Sequence, residues 1–212
     1  MDQRMFKSKH ICEEDNNHHS SSFEDDTFRH LLSEKRTILV NNLIVDNMIE
    51  RIVVPIIAIN EMDDEVEAES KTFVRDNNPI RIMINTNGGT ATEVFSCISA
   101  IELSRTPVYT YAMGKAFSGG FYLLLAGHRR FCQKYSTLMY HQIQTGLPHG
   151  DMKTSMEHID ETVRMQELFN NFILRRSKIK SKVLLEANSK KLDWYMGAVD
   201  ALKNGVVDSL YY

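Results

Sequence analysis

Tyr111-Ala-Met-Gly-Lys-Ala-Phe-Ser118-Gly-Gly-Phe-Tyr-Leu-Leu-Leu-Ala-Gly127 sets a single hydroxyl between a strand and a helix. The β-prone run Val108-Tyr-Thr-Tyr-Ala-Met ends at Gly114, a turn of small residues follows with Ser118 at its crest, and an apolar helical segment comes next. Such a corner puts the hydroxyl beside the unbonded N–H groups that open a helix. The negative charge developing on an attacked carbonyl needs donors of that kind. Ser-Gly-Gly before a helix also suits an ordinary N-cap and turn.

Similar corners lie on either side. Upstream, 37–40 reads as a strand and Asn41-Asn42 as a turn, and 45–60 has helical apolar spacing interrupted by Pro55. A strand at 80–85 stops at Thr86-Asn-Gly-Gly89, and 91–103 continues as a helix with Val94, Ile98, Ile101 and Leu103 near one face. Downstream, 130–133 is a short strand, and another starts at Thr137 and ends at His141. A long helix over 151–175 and a second over 181–188 follow. The chain closes with a helix capped by Gly205 and a terminal strand. Repeated strand–turn–helix units predict a layered α/β domain with sites at strand ends.

The chain has 212 residues, 42% apolar and 25% charged, with a net charge of −3. That suits one domain, or one domain plus a tail, and gives no general electrostatic reason for binding nucleic acid or anionic membrane. The longest apolar runs, 52–59 and 121–126, are too short to span a bilayer. Residues 1–25 are acidic, histidine-rich and serine-rich where a secretory signal would be apolar, and read as a mobile arm or removable leader. A cytoplasmic location is expected. His18 and His19 lack metal-ligand spacing, and the three cysteines form no Cys-x-x-Cys unit, so no metal site is expected. Cys97 and Cys132, in apolar contexts, read as small core residues.

Four features share one chemistry: Ser118, Asn87-Gly88-Gly89 at another strand end, His141 at a third, and Asp193 in a loop between helical stretches. A serine hydroxyl needs a base to take its proton, and an imidazole serves near neutral pH when a carboxylate holds its tautomer. Each also has a plainer reading. The glycine pair is a common turn, His141 a satisfied strand-end histidine, and Asp193 an N-cap.

At these residues the chain resembles the proteolytic subunit of the caseinolytic (Clp) protease. Asp26-Thr-Phe-Arg-His-Leu-Leu resembles that family's opening segment, Ile84-Asn-Thr-Asn-Gly-Gly89 its Ile-Asn-Ser-Pro-Gly-Gly, and Met113-Gly-Lys-Ala-Phe-Ser118-Gly-Gly its nucleophile turn. Leu138-Met-Tyr-His141-Gln resembles its histidine strand, and Gly205-Val-Val-Asp208-Ser its closing Gly-Leu-Val-Asp-Ser. The resemblance implies a ClpP/crotonase-like α/β fold: a repeated β-β-α superhelix, single domain over 26–212, with a protruding long helix.

It further implies a serine endopeptidase with Ser118 as nucleophile, His141 as base and acid, Asp193 as carboxylate, and the N–H groups of Gly89 and Gly119 as oxyanion donors. Asp200 and Asp208 compete with Asp193, because 167–193 is longer than the family pattern. The resemblance also implies a heptameric ring, stacked as a tetradecamer, and no cofactor of the chain's own. A Clp-type unfoldase would hydrolyse ATP and feed in unfolded polypeptides. By position Met83, Leu103 and Phe131 would contribute to the pocket that docks it. His141-Gln-Ile-Gln-Thr-Gly-Leu-Pro-His-Gly150 departs from the family, where His-Gln-Pro and a glycine-rich strand are usual and help join the rings. A catalytically silent ring subunit is the alternative. Acyl-thioester chemistry on the same fold, or a serine–lysine dyad using Lys115, fits less well.

Overall fold

Alternation along Ile80–Thr86 (β2) buries Ile80, Ile82, Ile84 and Thr86 and leaves Arg81, Met83 and Asn85 more open. One sheet face is therefore covered and the other is not. A computed structural model describes residues 31–32, 34–146, 150–190 and 193–212. The expected arm at 1–25, with Cys12, His18 and His19, lies outside them. Contacts separate Met1–Lys35 from Arg36–Tyr212, and the second unit contains every residue expected at the site.

The other strands are Thr37–Val40 (β1), Val108–Phe117 (β3), Arg129–Gln133 (β4), Thr137–Tyr140 (β5), Trp194–Gly197 (β6) and Ser209–Tyr211 (β7). The helices are Val54–Glu69 (α1), Ala91–Leu103 (α2), Gly119–Ala126 (α3), Met152–Arg176 (α4), Ser181–Ser189 (α5) and Ala198–Lys203 (α6). Strands β1-β2-β3-β4-β7 lie side by side and parallel; β5 runs parallel to the end of β3, and β6 pairs antiparallel with β5. The chain forms the expected α/β class, and its sheet is dominated by parallel pairs. Parallel neighbours require crossovers, which α2 and α3 supply. All of α3 is buried, as its unbroken apolar sequence requires, and Cys97 and Cys132 are core residues as expected. Burial pushes their thiols up to about 12 and about 11.

Three elements differ from expectation. First, 45–60 is not α-helix throughout. A π-helical turn, Ile49–Val53, runs directly into α1, so Pro55 sits within a continuous helical run, beside the wide turn that accommodates a residue without an N–H. Second, β3 does not end at Gly114. That glycine (φ 87°) takes up a register shift opposite Ile84–Thr86. Its N–H donates to Ser136 Oγ at 2.9 Å, and the same hydroxyl donates to the Ala112 carbonyl at 2.9 Å. The strand then continues beside β5 through Phe117. Third, Trp194–Gly197 is a strand where a loop was expected.

A polar cluster ties β1 to the entrance of β3. Both Asp63 oxygens accept from Arg36, at 2.8 and 2.5 Å, and Thr106 Oγ1 donates to Asp63 at 2.5 Å. Burial alone would raise the Asp63 pKa, but the hydrogen bonds from Arg36 and Thr106 outweigh it and hold the carboxyl below its ordinary value. A depressed folded-state pKa means stability present above the unfolded value, about 3.9, and lost as pH falls through the folded one. Asp63→Asn is therefore expected to lower the unfolding free energy by about 3 kcal/mol at neutral pH, read by urea titration. The deficit should shrink in acid. A loss that stays the same at every pH would refute this account.

Candidate active site

Pairing with β5 fixes Ser118. Lys115, Ala116 and Phe117 register with Thr137, Leu138 and Met139, and the Ser118 N–H donates to the Met139 carbonyl at 2.9 Å. On the other side the Ser118 carbonyl accepts from Phe121 N–H at 2.9 Å as α3 begins. Between these restraints Ser118 adopts φ 51°, ψ −117°, a region that non-glycine residues rarely occupy. Such strain persists only where the surroundings impose it, and it clusters at functional corners. The side chain forms no cap hydrogen bond to α3, so the plain N-cap reading does not hold.

The second corner packs against the first. Gly88 has φ 98°, and a Cβ there would lie 2.6 Å from Gly119 N and 2.7 Å from Ser118 Cβ, so only glycine fits. An isolated parallel bridge joins Ile44 to Gly89. The Gly88 carbonyl accepts from Ile44 N–H at 2.8 Å, and Thr90 N–H donates to the Ile44 carbonyl at 2.8 Å. In a parallel bridge this leaves the Gly89 N–H on the opposite side, away from Ile44. Gly119 is the first residue of α3, so its N–H has no partner within the helix. Ser118, Gly89, Gly119 and His141 all line one cleft of about 550 Å³. Lys115 is not among its lining residues.

His141 stands one residue beyond β5, and Asp193 one residue before β6. The ladder ends at Tyr140↔Trp194, so the next outward pair is His141 and Asp193. Their Nδ1 and Oδ1 atoms are 3.6 Å apart, with the His141 side chain 16% exposed and Asp193 47% exposed. The buried His141 Nδ1 has no hydrogen-bond partner, and Asp193 is the one carboxylate within 4 Å of it among the described residues. Followed directly by a strand rather than a helix, Asp193 does not have the N-cap role. Asp208 is engaged elsewhere. Its Oδ2 accepts from Arg130 N–H at 2.9 Å and Nε at 3.0 Å, and its Oδ1 from Arg130 Nη2 at 2.5 Å. Asp200 is an exposed residue in the first turn of α6.

Beyond the polar groups the cleft wall is apolar: Val94, Tyr122, Met139, Ile143, Met165 and Phe169. Tyr122 stacks on Phe169 at 4.0 Å. On α4, Phe169 and Phe172 are core, Met165 lines the cleft and Leu168 is largely exposed.

Met83 and Phe131 share one register row, Leu39↔Met83↔Tyr111↔Phe131, on the open face of the sheet. Tyr111 stacks on Phe131 at 4.6 Å, and Tyr211 meets Tyr111 edge-on at 5.7 Å. Neither tyrosine was among the expected residues, although the alternation Tyr109, Tyr111, Met113 along β3 pointed to Tyr111. Leu103 does not lie on the buried face of α2 and is 82% exposed. At 100° per residue it points about 200° away from buried Ile101. No described helix is long and apolar enough to cross a membrane.

A family model of the Clp protease matches residues 19–212. The chain belongs to the Clp protease family, and its α/β domain with a parallel-dominated sheet is consistent with that family's fold.

Proposed function

We propose that this Clp protease family member is a serine endopeptidase subunit with Ser118 as nucleophile, His141 as general base and acid, and Asp193 as the carboxylate that holds the imidazole. The observation that carries the reading is the convergence of Ser118, His141, Gly89 and Gly119 on one cleft, with Asp193 beside His141. In this reading Ser118 Oγ attacks the peptide carbonyl carbon as its proton passes to His141 Nε2. The Gly89 and Gly119 N–H groups receive the carbonyl oxygen as it becomes negative. The C–N bond breaks, the imidazolium gives its proton to the leaving amine, and water repeats the sequence to free the acyl group. Asp193 stays ionised throughout and accepts the Nδ1–H. The 3.6 Å separation must close by under about 1 Å for that bond, a tightening common when a resting site takes up substrate.

The apolar wall of the cleft suits unfolded chains with exposed apolar side chains. Exposed Met152, Met156, Ile159 and Val163 recur along the first half of α4 and favour contact with another copy, in line with a stacked heptameric ring. The row at Met83, Tyr111 and Phe131 is the candidate surface for an ATP-driven unfoldase. The chain then needs no cofactor of its own and works in the cytoplasm.

A silent ring subunit is the second reading. It is favoured by two links that are open among the described residues: His141 Nδ1 has no hydrogen bond, and none joins Ser118 to His141. Fluorophosphonate labelling together with light-scattering mass separates the two readings. Ser118 labelled in a ring-sized particle is the expected result. An unlabelled ring supports the silent subunit, and a stable monomer at micromolar concentration overturns the assembly.

A further inference from the structure

Amide side chains bond to residues on both flanks of His141. One residue before it, the Tyr140 hydroxyl donates to Asn188 Oδ1 of α5 at 2.5 Å and lies 3.4 Å from Asn170 Oδ1 of α4. Two residues after it, the Ile143 N–H donates to Gln166 Oε1 at 2.8 Å. Gln166 Nε2 in turn donates to Asn170 Oδ1 at 2.9 Å and reaches the Tyr140 hydroxyl at 3.5 Å. Asn188 Nδ2, 3.4 Å from Asn170 Oδ1, closes the set. Tyr140 is 1% exposed and Asn188 9%, and neither they nor Gln166 and Asn170 line the cleft.

Four polar side chains are a costly filling for the space between β5, α4 and α5, where apolar groups would pack without desolvation loss. What such a network supplies is a defined geometry. The β5–β6 ladder stops at Tyr140↔Trp194, so His141 and Asp193 stand just past its last pair. Asn188 lies at the end of the helix that leads to Asp193, and Tyr140 directly precedes His141. The Tyr140–Asn188 bond therefore links the two chain segments that present the imidazole and the carboxylate. At 3.6 Å the pair sits just outside hydrogen-bond distance, where a small backbone shift brings it within reach.

We propose that Tyr140, Gln166 and Asn188 are positioning residues that set the His141–Asp193 separation from behind the cleft, without touching substrate. The inference rests on the catalytic reading of Ser118, His141 and Asp193. Its consequence is kinetic. Loosening the network keeps the pair from closing to hydrogen-bond distance as the reaction proceeds, so the chemical step slows while substrate binding does not.

The test is Tyr140→Phe in the full chain, measured by steady-state hydrolysis of a fluorogenic peptide and by thermal unfolding. The expected result is a fall in kcat of about tenfold, the scale of one lost buried hydrogen bond, with KM unchanged. Repeated in an Asp193→Asn background, the same change should have almost no further effect, because the contact it serves is already gone. Gln166→Met, which keeps the length of the side chain but removes the acceptor for Ile143 N–H, gives the same pattern if Tyr140→Phe does not fold. Gln166→Glu, which keeps that acceptor, restores most of the rate. An unchanged kcat in a variant still labelled at Ser118, or an equal loss in the Asp193→Asn background, overturns the positioning role and leaves the catalytic reading standing. A wild-type chain that neither labels nor hydrolyses overturns both.

Discussion

Ser118→Ala is expected to abolish labelling by a fluorophosphonate and to lower kcat for peptide hydrolysis about 10⁶-fold, the scale seen when a triad nucleophile is lost. Particle mass and unfolding temperature should not move. The separation of activity from stability follows from the local structure. The Ser118 hydroxyl makes no cap bond to α3, so alanine removes no support from the helix. The unusual backbone at φ 51° is imposed by the Met139 carbonyl on one side and Phe121 N–H on the other, and both bonds use backbone atoms that alanine keeps. What remains in the variant is binding and the two glycine N–H donors, which sustain a residual rate above that of water. Active-site titration followed by progress curves with a fluorogenic peptide measures this. Undiminished hydrolysis by a folded, unlabelled Ser118→Ala chain would remove the serine mechanism altogether.

The corner at Ser118 was legible in the sequence because its signals are local. A β-prone run, small residues and an unbroken apolar helix follow one another without a long-range partner being needed. The same holds for β2 with its glycine pair, and for α2, where Val94, Cys97, Ile98 and Ile101 define the buried face. What was hidden depends on partners distant in sequence. Trp194–Gly197 becomes a strand because β5 offers an open edge to pair with, and nothing within those four residues announces it. Gly114 looked like a strand end, since glycine usually breaks a strand. It serves instead to absorb a register shift whose cause lies in β2 and in the Ser136 hydroxyl. Leu103 looked like part of the α2 stripe by proximity, although its angular position excluded it. The amides around Tyr140 lie too far apart in sequence to suggest a network: Gln166, Asn170 and Asn188 are ordinary surface-type residues until α4 and α5 fold over β5.

The carboxylate was the least determined member from sequence, and it gives the sharpest discrimination between variants. Asp193→Asn is expected to lower kcat about 10⁴-fold at neutral pH with little change in KM, because an amide in that place favours the wrong imidazole tautomer and cannot stabilise the imidazolium. Asp200→Asn should stay within about twofold, since an exposed acid in a helix first turn contributes only a few tenths of a kcal/mol to stability. Asp208→Asn should show its effect in unfolding rather than in rate, because its carboxylate is engaged by Arg130, whose Nη1 also donates to the Arg176 carbonyl at 2.5 Å. Three substitutions of the same chemistry thus have three different outcomes, set by what each oxygen faces. A large rate loss in Asp200→Asn with none in Asp193→Asn would mean that β6 is rearranged in the working particle. The register Tyr140↔Trp194 argues against that, because the buried Tyr140 and Met196 side chains hold β6 in place, and a slip by one residue would turn Met196 outward and carry Asp193 away from the imidazole.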